Sequence, residues 1–427
     1  MMKMALAFGL LLQGVAWSAE APANFVVEWN KQLLAAAEAE DGFMTLKGVR
    51  TAAMMHLAMH DALSAIRHEY APYALQADAP DADPIFAASQ AAYEIALSQY
   101  PKQSVQWQML LASTAHASGA AWQRSVELGK AAATAVLDSR KSDKWDSQAE
   151  YRFHPMGPGV YAEFREHSGT PEGFVFGAGW ATVKPFALVR PDQFRVGPPP
   201  AIDSKEYAAA FDEVKDVGAF ASRTRTANQT HLAMWWKEFV EASHNRLARD
   251  LVVRDRLELT RAARLFALLN MSIFDGYVSS FDSKFFYNHW RPYTAIHWAD
   301  KDGNPATELD AQWDNLHKHT YAFPSYPSAH GTVCGAAMTV MAATFGEKRK
   351  IWMETREVDK AGPMSGKIAM NPPTRSFESF AAAALECAMS RVYLGIHFRY
   401  DSVAGNELGH KVGGYVVEKY LTPVRGL

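Results

Sequence analysis

Between positions 46 and 66 the apolar residues Leu46, Val49, Ala53, Leu57 and Ile66 recur near the 3.6-residue period of a helix. The stretch closes on Tyr70-Ala71-Pro72-Tyr73, which breaks it. Similar spacing predicts helices over 87–99, 104–118, 120–139, 207–217, 227–248 and 253–281. Alternating runs of β-branched residues are nearly absent, so the pattern predicts an all-α protein.

The helical pattern stops between 151 and 202. Gly157-Pro158-Gly159, Lys184-Pro185, Arg190-Pro191 and Pro198-Pro199-Pro200 cannot lie inside helices. Trp180, Phe186 and Phe194 in the same stretch predict an ordered, packed connection. A chain of 427 residues also exceeds the size at which one core stops growing. The expected organisation is an N-terminal helical unit over 20–150, a connection over 151–203 and a C-terminal helical unit over 204–427. Two further loops, 300–326 and 358–375, flank the polar motifs described below and are expected to wall a site. No repeat of fixed period is visible.

Composition changes this picture at few points. The net charge is −3, with both signs spread along the chain, and no basic stripe points to nucleic acid. At the N-terminus Lys3 precedes an apolar stretch over 4–17 that is too short to span a bilayer. Ala16 and Ser18 would allow cleavage before Ala19, so 1–19 is expected to be a signal peptide and the mature protein periplasmic or secreted, without membrane insertion. The two cysteines, Cys334 and Cys387, fit no metal motif. Export leaves a disulfide open, but the expectation is two buried free thiols.

Three segments carry candidate chemistry. In the first, Lys284 and Arg291-Pro292 are seven residues apart, so both emerge on one face if a helix runs that far. Two cations on a solvated face would read the same way. In the second, Pro327-Ser328-Ala329-His330 precedes a small and apolar run over 332–345. Ser328 is the natural helix cap. The same helix start, with its free amides, attracts an anion beside which His330 could exchange a proton. In the third, Ser390-Arg391 is followed by His397 and Asp401, an i, i+4 pair in which the carboxylate would fix the imidazole tautomer. An ordinary surface pair is the alternative. Taken together, Lys284, Arg291 and Arg391 bring three positive charges that need an anion between them, and guanidinium forks match tetrahedral oxygens.

The three blocks in this order resemble the superfamily shared by vanadium-dependent haloperoxidases and type 2 phosphatidic acid phosphatases. Ala329 stands where that family usually has glycine. Similarity to the bacterial haloperoxidases extends to Met55-His56-Leu57-Ala58-Met59-His60-Asp61-Ala62, to 185–200, 222–236 and 274–296, and to Asp302-Gly303-Asn304-Pro305-Ala306-Thr307. The resemblance implies two packed helical bundles and one vanadate per chain. It implies that His397 binds vanadium, that Lys284, Arg291, Ser328, the Ala329 amide and Arg391 hold the oxygens, and that His330 is the acid–base catalyst. Hydrogen peroxide and halide would be the substrates, with hypohalous acid as product and an organic acceptor beyond it. Phe323 stands where family chloroperoxidases tend to have phenylalanine and bromoperoxidases histidine, which implies competence for chloride. In the phosphatase relatives the matching histidine attacks phosphorus, so the second reading is an exported acid phosphatase with a phosphohistidine intermediate and no cofactor. Chain length and the breadth of the similarity favour the peroxidase.

Overall fold

The computed structural model describes residues 23–424 except 115–117, 148, 163 and 364. The expected signal segment therefore lies outside the described residues. The first half contains α1 (Asn24–Asp41), α2 (Lys47–Arg67), α3 (Pro84–Gln99), α4 (Ser104–Ala112), α5 (Gly119–Ser139) and the short α6 (Arg165–Ser168). The second contains α7 (Lys205–Val217), α8 (Ala227–Trp235), α9 (Val240–Arg254), α10 (Leu259–Tyr287), α11 (Pro292–His297), α12 (Ala329–Phe345), α13 (Phe380–Tyr393) and α14 (Arg399–Lys419). The loop expected over 358–375 instead holds much of two antiparallel strand pairs, β1 (Ile351–Glu354) with β4 (Thr374–Phe377) and β2 (Glu357–Asp359) with β3 (Lys367–Ala369).

Apolar spacing located most helices but not their ends. The single helix expected over 227–248 is two, α8 and α9, parted at 236–239. The one expected over 253–281 starts at Leu259, because Arg256 adopts a positive φ of 48° and ends the preceding turn. At the other end of α10, Asn288 caps the helix in the left-handed conformation, φ 51°. Lys284 and Arg291 therefore do not share a helix face. Arg291 is extended, φ −88° and ψ 155°, and precedes Pro292 at the first position of α11, where a following proline disfavours helical backbone.

The long α10 is buried around most of its circumference and packs against α2, α12 and α14. One apolar core continues through both halves, from Trp29 and Trp107 to Phe266, Val333 and Phe380. The contact between α12 and α14 is set by glycine. A Cβ at Gly405, Gly409 or Gly413 would meet the carbonyl oxygens of Ser328, Thr332 and Ala336 at 2.4, 2.1 and 2.6 Å. Without side chains there, the two backbones lie against each other, and the start of α14 reaches the start of α12.

Two buried aspartates hold chain segments in the same way. Asp61 on α2 accepts the amides of Tyr73, Ala74 and Leu75, at 2.6–2.8 Å. Asp275 on α10 accepts those of Phe186, Ala187 and Leu188, at 2.6–2.9 Å. The two captured segments read Pro72-Tyr73-Ala74-Leu75 and Pro185-Phe186-Ala187-Leu188. Five residues before each aspartate, His56 and Asn270 bond to Asn30 and Asn245, which bond to each other at 2.8 Å. A periodic scan of the sequence does not detect this correspondence, because it rests on a few scattered positions.

Candidate active site

Every residue singled out in the three motifs converges on the place where α10, α12, α13 and α14 end or begin. Lys284, in the last turn of α10, is fully buried, and its Nζ donates to the carbonyls of Pro324 and Ser325 at 2.9 and 2.7 Å. Burial holds its pKa well below the ordinary lysine value, with Arg291 pushing the same way and Asp401 opposing. Arg291 is likewise buried; its Nε donates to Phe323 O at 2.9 Å and its Nη1 to Ile396 O at 3.0 Å. Burial lowers it to about 10.

His397 and Asp401 do meet, but not on one helix. α13 ends at Tyr393, Gly395 turns at φ 81°, and α14 begins only at Arg399. His397 thus precedes the cap residue Phe398, and Asp401 lies in the first turn of α14. There its Oδ2 accepts the Phe398 amide at 3.1 Å and contacts His397 Nδ1 at 2.9 Å. The pair is made by a helix cap rather than by a helical i, i+4 spacing. Arg291 Nη1 lies 3.1 Å from His397 Nε2. A guanidinium only donates, so Nε2 accepts and the proton sits on Nδ1, facing Asp401. Burial, then the charges of Arg291, Lys284 and Arg391, keep His397 neutral. Burial raises Asp401, while Ser325, Lys284 and Arg291 favour its charged form.

Ser328 caps α12, its hydroxyl accepting the Gly331 amide at 3.2 Å. The first-turn amides of Ala329 and His330 have no intrahelical acceptor. Ala329 keeps negative φ and belongs to the helix, so replacing the family's glycine does not strain this turn. Arg391, in the last turn of α13, reaches Trp236 O at 3.4 Å. Arg391 Nε, Arg291 Nη2 and His330 Nε2 are buried without hydrogen-bond partners among the described residues. Burial, followed by Arg391, holds His330 well below the ordinary histidine value. Orphaned buried donors on three cationic or titratable side chains are the complement of an anion.

The expected free thiols are a disulfide. Cys334 and Cys387 are bonded, with Cα atoms 6.6 Å apart. Small residues bring α12 and α13 that close, since a Cβ on Gly331 would lie 3.2 Å from the Cβ of Ala388. His330 Nδ1 or Nε2 and both sulfurs lie within 4.8 Å of one another, but sulfurs bonded to each other are not thiolate ligands.

The site opens into a cavity of about 490 Å³, whose lining includes His330, Arg391, His397 and Phe323. The Phe323 ring faces Lys284 Nζ at 5.1 Å and the Arg291 guanidinium at 4.7 Å. Sequence reasoning missed Ser325, whose hydroxyl bonds Asp401 Oδ2 and lies 3.2 Å from His397 Nδ1. It also missed Glu241 and Lys237 in the cavity wall, which burial shifts in opposite directions, each to about 7. Ser325 stands beside the second motif in sequence, but no local pattern marks the other two.

Residues 264–426, which hold all of these motif residues, match the family model of the VCPO second helical-bundle domain. This stretch is therefore similar to the second helical bundle of that family. Vanadium chloroperoxidase of Curvularia inaequalis is 23% identical over 283 residues, 53% of this chain and 46% of that protein. The chain thus spans about half the length of this curated relative. Among solved structures, a bacterial vanadium-dependent iodoperoxidase superposes with a TM-score of 0.76 at 21% identity, covering 95% of this chain and 99% of that one. A bacterial vanadium-dependent chloroperoxidase in its holo form gives 0.67 at 16% identity, covering 88% and 92%. The whole chain therefore has the helical-bundle fold of the haloperoxidases. No helix among the described residues is long and apolar enough to cross a membrane.

Proposed function

We propose that this protein is a vanadate-dependent haloperoxidase that oxidises halide with hydrogen peroxide to hypohalous acid. The observation that carries the reading is the cluster of unpartnered donors on Arg291, Arg391 and His330 around a neutral His397. Vanadate fits this donor set: His397 Nε2 would bind vanadium, while Lys284, Arg291, Ser328, the Ala329 amide and Arg391 would hold its oxygens. When bound, vanadate supplies Lewis-acid activation of peroxide toward a nucleophilic halide.

The protein's own residues do the rest. Asp401, bonded to Ser325 and to Nδ1, keeps the His397 lone pair on Nε2 and fixes the ring. Arg291 has donors on both Nη atoms, so it can exchange its bond to Nε2 for one to an anion oxygen. His330 Nε2 has no competing partner and is free to take and return the proton of incoming peroxide. Phe323, which stands where the family's chloroperoxidases tend to have phenylalanine, supports chloride as a substrate. The Cys334–Cys387 bond supports an oxidising, exported location.

The decisive experiment adds vanadate to apo-protein and follows bromination of a dye with peroxide and bromide, with phosphate-ester hydrolysis measured in parallel. Binding of one vanadate per chain followed by bromination is expected. Phosphate-ester turnover that vanadate only inhibits, with no halogenation, would replace this reading by an acid phosphatase.

A further inference from the structure

Three ligating side chains meet between α12 and α13, beside the anion site. His330 and Cys334 are four residues apart within α12. They therefore share one helix face, at the spacing by which a helix presents paired ligands to zinc. Cys387, on α13, faces them across the close contact of Gly331 with Ala388. A ring nitrogen of His330 and the two sulfurs all lie within 4.8 Å of one another. Zinc bonds of about 2.3 Å to sulfur and about 2.0 Å to nitrogen place tetrahedral ligands roughly 3.5–3.8 Å apart. The ring is already near that spacing, and the sulfurs reach it by parting once their bond opens. Both cysteines are fully buried, and His330 Nε2 is buried without a hydrogen-bond partner among the described residues. Two thiolates and one divalent cation sum to no net charge, so burial does not penalise the set as it would an unpaired ion.

We propose that, while its two cysteines are thiols, the protein binds one divalent cation of the zinc type through His330, Cys334 and Cys387, with water in the fourth position. The chain is made with thiols, so this form precedes the bonded one. Binding releases one proton from each thiol and forms two sulfur–metal bonds and one nitrogen–metal bond. Exchange with an external disulfide then moves two electrons onto that disulfide, which leaves as two thiolates. The Cys334–Cys387 bond forms and the cation is released. The consequence falls on His330. A neutral imidazole has one nitrogen lone pair to give, and the cation takes it, leaving an N–H on the other nitrogen. The metal-bound form therefore lacks the base assigned above to peroxide, so it is inactive until oxidation frees the ring. The inactivation rests on the haloperoxidase reading; the metal site rests on the three side chains alone.

The test uses the full chain, reduced by a phosphine that takes up oxygen from water while two hydrogens go to the sulfurs, and then freed of the reagent. Zinc alone is titrated against a chromogenic chelator, with the disulfide-bonded protein alongside. One zinc per reduced chain is expected, and none in the bonded one. Cobalt in place of zinc should add thiolate charge-transfer absorption in the near ultraviolet. His330→Ala and Cys387→Ser, both reduced, should each weaken zinc binding by more than about tenfold, the loss that even an outer partner of a metal site causes. Equal zinc binding in reduced and bonded protein, unchanged affinity in either variant, or unfolding on reduction seen by circular dichroism would overturn the site. In vanadate-loaded protein, zinc should stop peroxide-driven bromide oxidation by the reduced form, leave the bonded form unaffected, and be reversed by phenanthroline. Reduced protein that is inactive without zinc, or as active with it, would overturn the inactivation. Zinc binding without bromide oxidation in any form would overturn the haloperoxidase reading while supporting the site.

Discussion

At His397 the proton position follows from the neighbours alone, since Arg291 can only donate to Nε2 and Asp401 waits at Nδ1. His397→Ala removes the nitrogen proposed to bind vanadium, so vanadate retention in equilibrium dialysis is expected to vanish. His330→Ala leaves the cations in place; it should retain part of the binding and lose about 10²–10⁴-fold in turnover. Wild-type activity in both variants would remove these residues from the site. Glu241 makes a prediction of opposite character. Burial raises it from its ordinary 4.5 to about 7, so the folded protein binds this proton more tightly than the unfolded chain. The stability it contributes is present below about pH 4.5 and is lost as pH rises through 7. Relative to wild type, Glu241→Gln should gain on the order of 3 kcal/mol between pH 4.5 and 8. Urea unfolding at both pH values reads this difference, and a constant offset would refute the shift.

Among the elements, helix ends matter more than helix faces. α10 stops at Tyr287, α13 at Tyr393, and α12 and α14 start at Ala329 and Arg399, so the chemistry collects where backbone groups are unpaired and dipoles end. The Cys334–Cys387 bond ties α12 to α13 one turn from His330 and one turn from Arg391. Closing a loop across 53 residues should contribute roughly 2–4 kcal/mol. The Cys334→Ala/Cys387→Ala double variant is expected to lose that much in denaturant unfolding, and reductant should destabilise wild type but not the variant. Alkylation of the unreduced, denatured protein at either thiol would contradict the bond.

Across the whole molecule, α2 and α10 each fasten a distant segment through one aspartate. Removing the Asp275 carboxylate leaves three buried amides without an acceptor, at about 1–3 kcal/mol for each unpaired group, whereas the amides facing Asp61 are only part-buried. Asp275→Ala should therefore lose more than roughly 3 kcal/mol in thermal or denaturant unfolding, and Asp61→Ala less than that. Near-wild-type stability would mean that water reaches those amides. The Asp275 variant should also disturb the cavity, because the segment it holds, Phe186–Leu188, follows closely after the cavity residue Trp180.

The sequence by itself determined the helical class and the set of candidate anion-binding residues. Helical spacing records which side chains are buried, and three short blocks carry Lys284, Arg291, Ser328, His330, Arg391, His397 and Asp401. It did not determine how those blocks meet. Lys284 and Arg291 were expected on one helix face and instead straddle a helix end. His397 and Asp401 were expected on one helix and instead meet through a cap. Ser325 reaches Asp401 across 76 positions, and the two cysteines, expected as free thiols, are bonded. The first two outcomes follow from where a helix stops, at Asn288 and before Gly395, and the last two depend on how closely two helices approach. That distance is set by Gly405, Gly409 and Gly413 against the carbonyls of α12 and by Gly331 against Ala388, contacts that exist only once the helices are packed.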